Sequence, residues 1–143
     1  IKMKIATDFD GTIVEHSYPS IGKEKPFAIQ TLLALQKQGH QIILWTIRTG
    51  KELDEAIDYC RKKGLEFYAI NKNYPEEEYS ENVSRKIDAD IYIDDRNIGG
   101  FIGWGEVWHL LNPQENRQLN LKRKKQASLL KKFMNKFWQR LIE

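Results

Sequence analysis

The sequence predicts an α/β fold: a central parallel sheet with helices on both faces. Three observations predict it. Short apolar runs alternate with segments of helical spacing along the chain. The run Gln41-Ile42-Ile43-Leu44-Trp45-Thr46 is almost continuously apolar, as befits a strand buried on both faces. Three runs end in polar, chemically capable residues, at Asp8, Thr46 and Asp94-Asp95. A parallel sheet gathers such strand ends at one edge, where ligands collect.

The elements follow in order. Residues 2–8 read as a short strand ending in a carboxylate, and Asp10-Gly11 supplies turn chemistry. Residues 14–26 carry Pro19, Gly22 and Pro26 and read as loop or small hairpin. Pro26 suits the first turn of a helix over residues 27–35, which Gly39 then ends. Leu53, Ala56, Ile57 and Cys60 recur at helical spacing in residues 51–63, stopped by Gly64. Residues 65–70 read as a third strand, the acidic stretch 71–84 as loop or short helix, and residues 90–95 as a fourth strand. The glycine-rich segment 99–105 is a turn before a last short strand near Val107-Trp108.

Length and composition narrow the class. A chain of 143 residues buries a proper core without disulfides or structural zinc. A lone cysteine, Cys60, excludes an internal disulfide framework, and no Cys/His cluster has zinc spacing. Its place on an apolar helical face makes it a core residue. A reduced, cytoplasmic setting is the expectation, with no signal peptide and no apolar stretch long enough to span a bilayer. The net charge of +3 hides a split. Residues 1–116 carry 14 basic and 19 acidic side chains, a balance of −5; residues 117–143 carry 9 basic and one acidic, a balance of +8. The expected organisation is a catalytic body over 1–116 and a basic amphipathic helix over 117–143.

The chemistry-bearing residues resemble the haloacid dehalogenase (HAD) superfamily of phosphatases, a Rossmann-like three-layer fold. The first motif of that superfamily, D-x-D-G-T after a strand, stands here as Asp8-Phe9-Asp10-Gly11-Thr12. The second, a strand ending in Thr or Ser, is matched by Ile42-Ile43-Leu44-Trp45-Thr46. Lys86 best fits the third, with Arg85 as competitor, and Tyr92-Ile93-Asp94-Asp95 fits the fourth. The resemblance implies Asp8 as nucleophile, forming an aspartyl-phosphate, and Asp10 as general acid and then base. It also implies Mg²⁺ held by Asp8, Asp94, Asp95 and the backbone carbonyl of Asp10. Asp95 is the expected direct ligand, with Asp94 bonding through water. Thr46 and Lys86 would contact the phosphoryl oxygens. Arg48 either reads substrate phosphate or pairs with a body carboxylate. His16, His40 and His109 are expected to be structural or surface residues.

Members of the superfamily usually carry a cap domain. Only 33 residues separate Thr12 from Thr46, and 39 separate Thr46 from Lys86, each stretch already holding a helix and a strand. The chain therefore resembles the small, capless branch, whose open cleft takes a phosphorylated substrate, small or macromolecular. Two other functions compete: a phosphoacceptor signalling module and a non-catalytic binding protein of the same fold. Receiver modules place their acidic pair before the acceptor, the reverse of the order here. In the tail, Leu129, Leu130, Phe133, Met134, Phe137, Trp138, Leu141 and Ile142 repeat at helical spacing. The expectation is a helix packed on the body or on a second copy, a homo-oligomer in the latter case. Two sharper alternatives are an interfacial membrane helix and, through Lys122-Arg123-Lys124-Lys125, an electrostatic contact to nucleic acid. No helix-turn-helix, zinc finger or RNA-stacking motif supports nucleic acid as a partner.

Overall fold

The apolar runs become four strands: β1 (Lys4–Thr7), β2 (Gln41–Leu44), β3 (Ala69–Ile70) and β4 (Ile91–Ile93). They belong to a computed structural model that describes residues 1–142, without the side chain of Ile142, so that residue's expected place in the apolar stripe lies outside the described part. The strands form one sheet in the order β3-β2-β1-β4. Every neighbouring pair is parallel, with Ile5 opposite both Ile42 and Ile91, and Ile43 opposite Ala69. The fold is α/β with a four-stranded parallel sheet and is compatible with a Rossmann-like arrangement.

Strand order positions the site. The chain runs outward from β1 to β2 and β3, then returns to the other side of β1 as β4. That reversal lies between the carboxyl ends of β1 and β4, where a crevice forms in open parallel sheets. Asp8 follows β1 directly, and its backbone N–H donates to the carbonyl of Ile93 on β4 at 2.9 Å. The core around these strands is built mainly of apolar side chains: Ile5, Ile42, Ile43 and Leu44 lose all contact with solvent, as do Leu32 and Leu35. Cys60 is buried as expected, and burial pushes its thiol up to about 12.

Helices α1 (Ala28–Lys37) and α2 (Gly50–Lys62) connect the strands. Gly39 and Gly64 take positive φ just past their ends, as anticipated. Three local expectations are corrected. Helix α1 begins at Ala28 and not at Pro26, because Phe27 adopts a left-handed φ of 65° and the Ala28 N–H closes a turn onto the Lys25 carbonyl. The third strand shrinks to two residues because the N–H of Leu65 is spent on the Cys60 carbonyl, finishing α2. The segment near Val107-Trp108 is helix α3 (Trp104–Leu111), not a strand. Trp104, Val107, Trp108 and Leu111 stand at i, i+3, i+4 and i+7, a helical period.

Two compact units divide the chain, Ile1–Gly105 and the part from Glu106 onward. The second contains the long helix α4 (Pro113–Ile142). It starts ahead of residue 117 because Pro113 occupies the first helical position, where a missing N–H costs nothing, and Glu115 complements the helix dipole in the first turn. No helix among the described residues is long and apolar enough to cross a membrane.

Candidate active site

Residues 8–12 leave β1 in a tight loop organised by the Phe9 carbonyl. It accepts the N–H groups of Thr12, Ile13 and Val14 at 3.3, 2.9 and 3.1 Å. Gly11 has φ 87°, and a Cβ there would stand 2.6 Å from Asp95 Cγ. Glycine is thus required twice, by the backbone conformation and by the carboxylate laid over it. The Thr12 hydroxyl donates to Asp8 Oδ2 at 3.2 Å and accepts the Asp95 N–H at 3.0 Å, joining the end of β1 to the end of β4. Trp104 fixes Thr12 from the other side, its indole N–H donating to the Thr12 carbonyl at 2.8 Å.

This loop brings Asp8, Asp94 and Asp95 together, each offering a carboxylate oxygen within 4.8 Å of the others. Three carboxylates at that separation repel one another. The Asp8 carboxyl is pushed up to about 7, first by burial and then by the charges of Asp94 and Asp95. The backbone N–H of Phe9 and the Thr12 hydroxyl pull the other way. Asp94 Oδ1 accepts the Arg96 N–H at 2.8 Å. Asp95 Oδ1 is buried without a hydrogen-bond partner. A buried carboxylate oxygen left unsatisfied beside two further acids fits a cation-binding position, and an all-oxygen donor set suits Mg²⁺.

Asp8, Asp10, Thr46 and Asp94 line one cavity of about 340 Å³, together with His16, Tyr18, Trp45, Ile47 and Arg96. The Thr46 hydroxyl accepts the Arg48 N–H at 3.2 Å, leaving its own proton to donate into the cavity. The Thr46 N–H is held by the side-chain oxygen of Asn71 at 2.8 Å, and Asn71 takes a left-handed φ of 54° to reach it.

Arg48 does something other than contact phosphate. Its side chain is completely buried and grips Asp10 through Nε at 2.6 Å and Nη2 at 2.7 Å. Nη2 also donates to the Ser20 carbonyl at 2.8 Å, while Nη1 donates to those of Pro19 and Glu52 at 3.0 and 3.3 Å. All five guanidinium N–H groups are therefore occupied within the protein. The guanidinium also lies between the Phe9 and Tyr18 rings, 5.1 and 5.2 Å from their centroids. Of the two expected roles, pairing with a body carboxylate is the one the geometry gives, and no N–H remains for a phosphate. The Asp10 carboxylate accordingly stands outside the three-acid cluster.

Lys86 does not line the cavity; its ammonium lies 5.4 Å from the centroid of the Tyr92 ring. Among the lining residues the cation is Arg96. Sequence reasoning passed over Arg96, Trp104 and Asn71, and it took His16 for a structural or surface residue. A cation directly after the acidic pair was the one available signal for Arg96. Trp104 and Asn71 act from 92 and 25 residues away, and no local pattern announces them.

No protein-family model matches the chain, and no curated protein matches it. Among solved structures, the chain is similar to a conserved protein coded by a locus of Bacteroides thetaiotaomicron. The two are 55% identical over 80% of this chain and 93% of that one, with a TM-score of 0.75. With that identity spanning nearly the whole relative, the chain belongs to the same family as this conserved Bacteroides thetaiotaomicron protein.

Proposed function

We propose that the protein is a Mg²⁺-dependent phosphomonoester hydrolase of the HAD type, without a cap domain, that works through an aspartyl-phosphate on Asp8. The observation that carries this reading is the Asp8–Asp94–Asp95 cluster at the switch point of the sheet, with its unsatisfied Asp95 oxygen. Mg²⁺ would be held by these three acids, where it supplies positive charge to offset both the carboxylates and a phosphate group. Asp8 then attacks phosphorus, and the bond from phosphorus to the ester oxygen breaks. Thr46 donates to a phosphoryl oxygen, and Arg96 supplies positive charge at the cavity wall. The organic part of the ester lies against Tyr18, Trp45 and Ile47.

Asp10 serves as general acid for the leaving oxygen and as general base for the water that frees Asp8. Both its oxygens are engaged by Arg48. Each oxygen keeps a second lone pair, through which Asp10 can meet the reacting oxygen while Arg48 holds it in position. Turnover of an aryl phosphate, measured with Mg²⁺ and with EDTA, tests the reading. Wild-type protein is expected to turn over only with Mg²⁺, and Asp8→Asn to be inactive. An Asp8→Asn variant that keeps the wild-type rate refutes it.

A further inference from the structure

The catalytic reading leaves helix α4 without a role. Its second half sorts cleanly into rows of residues four apart. Leu129, Phe133, Phe137 and Leu141 form one row, and Leu130, Met134 and Trp138 form the row beside it. Lys132, Lys136 and Arg140 form the row that flanks the first on its other side, three residues from Leu129, Phe133 and Phe137. All seven members of the apolar rows are exposed, Phe133 at 67% and Trp138 at 56%. Upstream, Lys122-Arg123-Lys124-Lys125 adds four consecutive cations. Between residues 117 and 142 there are 9 basic side chains and no acidic one.

These two faces limit the occupant. A second copy of the helix would cover the apolar rows, but with no acid between residues 117 and 142 of either copy the lysines flanking those rows find no ion-pair partner beside them and repel. Nucleic acid would satisfy the cations and leave two rows of Leu, Phe, Met and Trp in water. An anionic lipid surface satisfies both faces together. Phe, Leu and Trp enter the boundary between headgroups and acyl chains, while Lys and Arg meet lipid phosphates, their stems lying along the apolar surface. We infer that residues 122–141 of α4 form an interfacial helix that binds the surface of anionic bilayers. This inference stands independently of the proposed catalysis.

The test is sedimentation of the full-length protein with vesicles of phosphatidylcholine alone and of phosphatidylcholine mixed with phosphatidylglycerol. Partition into the anionic vesicles is expected to exceed that into neutral ones by about tenfold or more, and to fall several-fold in high salt. Phe133→Ser/Phe137→Ser and Lys132→Glu/Lys136→Glu are each expected to lower it by about tenfold or more, with the main thermal transition unchanged. Equal partition into both vesicle types, or none into either, overturns the inference, and the unmodified protein alone decides that comparison. It is also overturned if the charge-reversed variant binds as well as wild type. Tighter binding to a duplex oligonucleotide than to anionic vesicles would identify nucleic acid as the occupant. Dimerisation that depends on Phe133 and Phe137, with no vesicle binding, would identify a second copy.

Discussion

Replacing Asp8 by Asn should remove turnover and yet make the Mg²⁺-free protein more stable. The folded protein holds the Asp8 carboxyl at about 7 against an ordinary value of 3.8, through burial and the neighbouring charges of Asp94 and Asp95. Below 3.8 the group is protonated whether the chain is folded or not, and it has no effect on stability. Between 3.8 and about 7 the unfolded chain releases a proton that the folded chain keeps, so stability falls as pH rises. Above about 7 the penalty is complete. About three pH units of displacement correspond to about 4 kcal/mol. Asp8 is only partly buried, and solvent screening reduces the usable figure to about 1–2 kcal/mol. Asn keeps a carbonyl oxygen for the Thr12 hydroxyl and turns an amide N–H toward the two acids. The expected gain in Tm is about 3–8 °C at pH 8 in EDTA. Thermal unfolding at pH 8 and pH 4, with EDTA and with Mg²⁺, reads all of this. The gap should close toward pH 4, and Mg²⁺ should stabilise wild type much more than Asp8→Asn. Wild type at least as stable as Asp8→Asn in EDTA at pH 8 would refute the reasoning.

Arg48→Met strands the buried Asp10 carboxylate and should cost about 3–5 kcal/mol by chemical denaturation. Adding Asp10→Leu should recover much of that stability without restoring the proposed turnover; strictly additive losses would count against the pair. Thr12→Val preserves shape but removes the hydroxyl shared by Asp8 and Asp95. Calorimetry should find Mg²⁺ affinity lowered by about 10- to 100-fold, with a stability loss of about 1–3 kcal/mol. Gly11→Ala imposes a left-handed conformation costing about 1 kcal/mol and pushes Asp95 out of place. Mg²⁺ binding should drop far more than the modest fall in Tm suggests, and unchanged Mg²⁺ affinity would contradict the close approach at Gly11.

The sequence exposes what depends on strand periodicity. Asp8 and Asp94-Asp95 end runs that pair side by side, so reading the runs as neighbouring parallel strands was enough to bring the acids together. It conceals what depends on packing across the chain. Arg48 and Asp10 lie 38 residues apart, and the sequence alone left two roles open for the arginine. Only the fold shows five donors with five internal acceptors. Lys86 shows a different limit: its order along the chain fits the expected pattern, while its ammonium lies by the Tyr92 ring and does not line the cavity. The third strand was overestimated because composition cannot show that Leu65 completes the preceding helix, an economy visible only in the hydrogen bonds.

Arg48 also bears on redesign of the cavity mouth. Its guanidinium holds the Pro19 carbonyl through Nη1 and the Ser20 carbonyl through Nη2, and Nη2 also holds Asp10. Backbone carbonyls accept whatever side chains the loop carries, so exposed positions such as His16 and Ser17 can change identity while their path is fixed. Tyr18, whose ring lies on the guanidinium, and Gly22, where a Cβ would stand 2.8 Å from the Glu15 carbonyl carbon, cannot. A graft that alters side chains there should retune substrate choice at constant kcat. One that changes loop length reaches Asp10, the proposed proton donor, and its cost would be felt first in leaving groups that most need a proton.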